Sequence, residues 1–270
     1  MSQQKNLQEL TPLQIRLQCR KEQFCKPTAG LAKGFVQANL VVLPEEFALD
    51  FKNFCKLNPV PCPLIDDFEG FNESKVAKNL DIKTDLPLYR VFKYGKFVEQ
   101  IKNINQIIEM YKGEYDRWHT FLIGCSFTFE NALIQSGIDI RHITQQKNVS
   151  MYITNIEAQK SGMFQGKVVV SMRPIKKDQV DLVKKITEQF PTMHGGPIHI
   201  GEPEKIGIQN LKNPDFGDPV DIYEDEVPVF WGCGVTPQSA LAQANLPVFI
   251  THSPGFMLIC DAKEEMYRVQ

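Results

Sequence analysis

The segments FLIGCSFTFENALIQSG (121–137) and VFWGCGVTPQSALAQAN (229–245) decide the fold, because they match each other at a fixed offset of 108 residues. Six of their seventeen positions are identical, and these include Gly124/Gly232, Cys125/Cys233 and Thr128/Thr236. Each copy combines an apolar strand, a Gly-Cys turn, a threonine suited to cap a helix and a short amphipathic helix. The sequence therefore predicts two related β-turn-α units.

Strand-like runs follow both units, at 138–143 and 149–154 in the first copy and at 248–251 and 256–260 in the second. Between the copies, the sequence predicts a strand at 167–172, a helix at 176–189 and two short strands after HGGPIHIG. We expect an α/β fold in which the duplicated units share a mixed sheet with helices on both faces. A smaller α+β subdomain, 156–212, would be set into a main domain formed by 1–155 and 213–270.

Composition narrows the classes of function. A net charge of −2 over 270 residues gives no general attraction to nucleic acid. The N-terminal segment 1–17 lacks the apolar core of a signal peptide, and no run is apolar enough to span a membrane, so we expect a cytoplasmic protein. Seven cysteines without a C-x-x-C pair are typical of reduced thiols. The sequence leaves open whether the protein is a homo-oligomer.

The two Gly-Cys turns are candidate anion sites. Glycine lets a ligand approach the backbone, and a helix that starts directly afterwards presents unpaired N–H groups. The candidate contacts are Gly124, Ser126, Thr128, Gly232, Cys233, Gly234 and Thr236. Glu130 could cap its helix or act as a base. Cys125 and Cys233 either have a lowered pKa near the helix start and react, or are small buried thiols.

Three histidines and two arginines are further candidates. His252 lies in the turn THSPG at the end of an apolar strand, where binding groups often occur. His194 and His199 flank Gly-Gly-Pro, and could bind a metal, exchange protons with a substrate, contact it, or serve the fold. Arg90 and Arg173 each lie inside an apolar strand and need a partner, either a carboxylate of the protein or one of a substrate.

No nucleotide-binding fingerprint or recognised metal motif is present, so the sequence names no cofactor. The stretches TAGLAKGFVQANLVVLP, DIKTDLPLYRV, FLIGCSFTFENAL, RHI, VVVSMRP, HGGPIHIG, PDFGD, VPVFWGCGVTPQ and THSPG do resemble, in the same order, the bacterial proteins called "putative hydro-lyases". Related sequence forms part of animal D-glutamate cyclase, which closes D-glutamate to 5-oxoproline with loss of water. At two positions the chain departs from that pattern, with Ile153 where arginine is usual and Phe256 where histidine is usual.

The resemblance implies a lyase that removes water from a small amino or hydroxy carboxylic acid, with D-glutamate as one candidate substrate. In this hypothesis the two turns and Arg90 or Arg173 hold carboxylate. His252 and His199 exchange protons with Glu130 or Cys125. Two alternatives remain: a carboxylate-binding module without turnover, and a metal-dependent hydrolase that uses His194 and His199.

Overall fold

The computed structural model describes residues 10–269. The first nine residues of the N-terminal segment, on which the localisation prediction partly rests, lie outside this range. The helices are α1 Pro12–Arg20, α2 Ala48–Leu57, α3 Asn105–Met110, α4 Phe127–Gln135, α5 Arg141–Thr144, α6 Val180–Glu188 and α7 Thr236–Ala244. The strands are β1 Phe35–Pro44, β2 Leu64–Glu69, β3 Tyr89–Lys93, β4 Lys96–Ile101, β5 Trp118–Gly124, β6 Ser150–Glu157, β7 Lys167–Lys176, β8 His199–Ile200, β9 Glu226–Gly232, β10 Phe249–His252 and β11 Leu258–Lys263.

The strands form two sheets. The first has the order β2-β5-β1-β10-β3-β4, with β11 also paired to β1, and the second has the order β6-β7-β9-β8. The strand pairs within residues 10–269 are antiparallel, where we expected one mixed sheet. Helices α4 and α6 pack on one face of the first sheet, and α2 and α7 pack on the other. The α/β class with helices on both faces of a sheet is thus confirmed.

The duplicated β-turn-α units are present as β5-α4 and β9-α7, and the structure extends the duplication. Strand β1, a turn of 3-10 helix and α2 are repeated 132 residues later as β7, a second 3-10 turn and α6. Strand β5 pairs with β1, and β9 pairs with β7 in the same way. The strand after each unit joins the other sheet, since β6 pairs with β7 and β11 pairs with β1. Each half therefore spans both sheets.

The predicted subdomain, 156–212, supplies β7, α6 and β8. Strand β7 lies between β6 and β9, which come from the flanking parts of the chain. The division of the chain into two domains stays a prediction.

Two local predictions were wrong. The segment 138–143 is not a strand, because a helical turn begins at Arg141, whose guanidinium binds Asp139 at 2.7 Å and also Glu226. The threonines do not cap their helices, since Ser126 and Val235 precede α4 and α7 and neither side chain caps. Both threonine hydroxyls instead bind a neighbouring strand, because that strand supplies a buried N–H group.

The two threonine contacts are equivalent in the two halves. Gln37 of β1 donates its N–H to Thr128 Oγ1 at 3.2 Å, and Val169 of β7 donates its N–H to Thr236 Oγ1 at 2.9 Å. Each hydroxyl also lies within hydrogen-bond distance of the carbonyl oxygen of the same strand residue. The first turn of each helix is thereby fixed to the central strand of its sheet.

We predict that Thr128→Val and Thr236→Val each lower the free energy of unfolding by about 1–3 kcal/mol, because a buried N–H group loses its acceptor. Urea unfolding measures the change. Thr192→Val is the matched control, since Thr192 is exposed, and should change the free energy by no more than about 0.5 kcal/mol. Equal losses at all three positions would contradict the account.

Candidate functional site

The two Gly-Cys turns meet in the interior. Cys125 and Cys233 belong to one buried apolar cluster, which also contains Phe127, Val149, Met151, Val169, Val235 and Met257. Burial raises the pKa of the Cys125 thiol well above its ordinary value, and the nearby Cys233 raises it further. Burial also raises the pKa of Cys233 to about 11. The lowered pKa considered for these cysteines is therefore wrong, and both groups are neutral thiols near pH 7.

The glycines of these turns admit protein rather than open space. A Cβ atom on Gly124 would lie 2.0 Å from the carbonyl oxygen of Thr192, and one on Gly232 would lie 3.0 Å from that of Val60. Gly234 packs equally closely against the Asn39 side chain. Each turn is therefore closed by a loop of the other half. Our reason for expecting glycine here, close approach of a ligand, is wrong at these three faces.

A buried ion pair lies beside the turns. Arg173 of β7 donates from Nε to Glu130 Oε1 at 3.0 Å, and Nη2 contacts the same oxygen. The side chains of Arg173 and Glu130 are 0% and 2% exposed. Arg173 also donates to Ser171 Oγ at 3.1 Å and to Ser126 Oγ at 3.0 Å. Arg173 therefore has a carboxylate partner within the fold, one of the two alternatives left open by the sequence.

Glu130 also faces His142, which we had not proposed for the site. His142 Nε2 lies 3.2 Å from Glu130 Oε1, although it is not aligned for a hydrogen bond. Burial opposes ionisation of Glu130, but His142 and Arg173 outweigh it, so the pKa of Glu130 lies below its ordinary value. Glu130 is accordingly a carboxylate at neutral pH. The polar residues Asn39 and Ser171 inside apolar strands were a signal for the site that we did not use.

His194 is the buried histidine closest to both turns. Its backbone has φ +78°, a rare conformation for a bulky residue. Its Nδ1 lies 2.8 Å from the carbonyl oxygen of Val60, and the ring lies against Gly232. Burial lowers the pKa of His194 to about 4, so the ring is neutral near pH 7. Because Nδ1 donates to Val60, Nε2 carries a lone pair, and it has no partner among residues 10–269.

His252 and Arg90 lie together on the first sheet. His252 Nδ1 accepts the N–H of Leu40 at 3.1 Å, and its Nε2 has no partner within the described chain. Burial lowers the pKa of His252 to about 4. The Arg90 guanidinium packs 5.1 Å from the Phe92 ring and 4.5 Å from the Phe97 ring. Among residues 10–269 it makes no salt bridge, and burial lowers its pKa.

The link between His252 and the second turn is Gln238 in the first turn of α7. Its amide nitrogen donates to the carbonyl oxygen of His252 at 3.1 Å. His252 and Arg90 therefore lie beside the helix that follows the turn at Cys233.

His199 lies elsewhere, on the edge strand β8. Its Nε2 is 3.0 Å from the carbonyl oxygen of Glu202, and its ring packs on Phe230. No contact joins it to the Arg173 ion pair within residues 10–269. In the same part of the chain, no group of three or more His, Cys, Asp or Glu side chains is arranged to hold a metal ion. No helix there is long and apolar enough to cross a membrane.

Loops that are distant in sequence cover the two turns. Asn148 donates to the carbonyl oxygen of Pro254 at 2.9 Å, and Gly217 packs against the carbonyl oxygen of Val149. Met257 donates its N–H to Thr28 Oγ1 at 3.0 Å. The motifs TAGLAKG, PDFGD and THSPG thus converge on one region, as expected for parts of one site.

A buried ion pair, an unpartnered imidazole nitrogen and two helix N-termini in one region are typical of a ligand or active site. Residues 119–261 match the family model described as D-glutamate cyclase. A protein named "putative hydro-lyase" from Thermoanaerobacter sp. (strain X514) is 48% identical over 263 residues, which cover 97% of each chain. The chain therefore belongs to the D-glutamate cyclase family.

Other relatives agree. A protein of the same name from Bacillus licheniformis is 46% identical over 98% of this chain and 99% of its own. Another from Geobacillus kaustophilus is 47% identical over 95% of this chain and 96% of its own. These names are consistent with a lyase. A solved nitrogen repressor-like protein from Methanococcus jannaschii covers 88% of this chain and 91% of its own, with a TM-score of 0.39 and 10% identity, too low to support an inference.

We predict that protonation of the buried histidines destabilises the fold. The pKa of His194 and of His252 is about 4 in the folded chain, against an ordinary value of 6.5. Below pH 6.5 the unfolded chain gains protons that the folded chain does not, so stability is lost between pH 6.5 and pH 4. Each histidine accounts for up to about 3 kcal/mol of this loss.

The substitution His194→Gln tests this prediction. Urea unfolding at pH 7.5 and pH 5.0 gives the loss of stability between the two conditions for parent and variant. We expect the loss to be smaller in the variant by about 2 kcal/mol. An unchanged loss would show that His194 titrates normally in the folded chain.

Proposed function

We propose that the protein removes water from a small amino or hydroxy carboxylic acid, and that the reaction to test first is conversion of D-glutamate to 5-oxoproline. The observation that carries the proposal is the unpartnered Nε2 of His194, a buried neutral base beside the Arg173–Glu130 ion pair and both helix N-termini. Family membership supports the reaction class.

Carboxylate binding is assigned to the helix N-termini and to Arg90. Backbone N–H groups at Ser126 and Gly234 precede α4 and α7, where the helix dipole favours an anion. Arg173 is already paired with Glu130, so we propose that it positions Ser126 and does not bind substrate directly. Arg90 has no carboxylate partner within residues 10–269. It is the candidate for the second carboxylate of a substrate such as glutamate.

In the proposed reaction, the amine nitrogen attacks the γ-carboxyl carbon, a C–N bond forms and a C–O bond breaks. Two protons leave the ammonium nitrogen, and the departing oxygen takes both as water. His194 Nε2 accepts a proton from nitrogen and returns it to that oxygen. His252 is the second candidate for proton transfer. The Cys125 thiol is a hydrogen-bond donor at neutral pH, because its pKa is raised.

Turnover is tested by incubating the purified protein with D-glutamate, L-glutamate and a panel of hydroxy acids, with mass spectrometry of the products. We expect a product lighter than its substrate by one water. Binding of a carboxylate without any such product would favour the binding module instead.

We predict that His194→Asn lowers kcat by about 10²–10⁴-fold, the usual contribution of a general base. His119→Asn is the matched control, because His119 contacts Glu45 and Asp67 away from both turns. It should leave kcat within about 3-fold, since it changes only partly exposed contacts. His199→Asn tests the earlier assignment, and a large loss there with full activity of His194→Asn would reverse the proposed roles.

A further inference from the structure

Three buried oxygen atoms line one small cavity between the loop 30–35 and the start of α4. The cavity has a volume of about 20 Å³. The atoms are Gln37 Oε1, Glu130 Oε2 and Glu264 Oε2, and none has a hydrogen-bond partner among residues 10–269. Buried acceptors without donors are uncommon, because each loses its hydration without replacement.

Each of the three side chains is held by its other polar atom. The Gln37 amide nitrogen donates to the carbonyl oxygens of Thr28 at 3.0 Å and Leu31 at 3.3 Å, so its oxygen is directed away from them. Glu130 uses Oε1 for Arg173, and Glu264 accepts from Asn131 through Oε1 at 2.9 Å. Gln37 and Glu130 are each only 2% exposed. The three unpartnered oxygens are thus fixed in place.

The number of acceptors favours a cation over water. A space of this size accepts one water-sized group. A water molecule donates two hydrogen bonds, which leaves one of three acceptors unsatisfied, whereas an ammonium ion or a metal ion contacts all three. Burial raises the pKa of Glu264, as expected for a carboxylate that no protein cation balances.

Charge and donor type narrow the choice of cation. Arg173 balances Glu130, so Glu264 leaves one negative charge at the cavity. Carboxylate and amide oxygens suit hard cations, and Mg²⁺ usually keeps several waters that this space cannot hold. Lys33 also lines the cavity, but its side chain is exposed and bonds none of the three oxygens. We propose that Gln37, Glu130 and Glu264 bind one small monovalent cation of the ammonium or potassium class.

The test is thermal unfolding of the full chain in potassium, ammonium or sodium chloride, against choline chloride at the same ionic strength. Choline is too large for the cavity. A cation that binds only the folded chain should raise Tm by about 2–4 °C in a saturable manner. The same Tm in all four salts would overturn the proposal.

Glu264→Gln is the decisive variant. It places an amide N–H₂ group beside the other two oxygens and removes the excess charge, so Tm should no longer depend on the cation. Its Tm in choline chloride shows that it folds. Glu265→Gln is the matched control, because Glu265 is exposed and the charge change is identical. It should keep the full cation-dependent shift.

Crystals grown with rubidium chloride supply a direct measurement. An anomalous peak in contact with the three oxygens would support the site. A cation-dependent shift that persists in Glu264→Gln, or rubidium absent from the cavity at saturating concentration, would overturn it.

Discussion

The buried ion pair between Arg173 and Glu130 is the constraint on which the rest of the site depends. Removing both charges from water is costly, so the pair is stable only because Ser126, Ser171 and His142 surround it. Arg173 comes from the second half of the duplicated chain and Glu130 from the first. The pair therefore fixes how the two halves meet, and with them the two Gly-Cys turns.

The backbone of the two halves is repeated, but the chemistry is not. By the two offsets, Glu130 corresponds to Gln238, Ser126 to Gly234, Cys62 to His194 and Val41 to Arg173. One member of each pair is polar or ionisable in a way its counterpart is not, and these members come together around a single turn. A duplicated scaffold thus holds one polar half-site, next to a second half-site that keeps the geometry with uncharged side chains.

Much of this organisation could be predicted from sequence, because the repeated glycines, cysteines and threonines lie at turns where few residue types fit. The second repeat, 132 residues apart, was missed because β1 and β7 share a backbone and a burial pattern but almost no residues. The partner of Arg173 could not be predicted, since Glu130 lies far away in the chain. His194 and His199 looked equivalent, and only the left-handed backbone of His194 turns its ring into the core.

The central claim is that the two Gly-Cys turns form one binding site for a carboxylate. Amide hydrogen exchange, measured with and without saturating D-glutamate, tests it most directly. The account predicts slower exchange at Ser126 and at Gly234 together, with no change over 199–206. Protection of only one turn, or protection confined to 199–206, would contradict it.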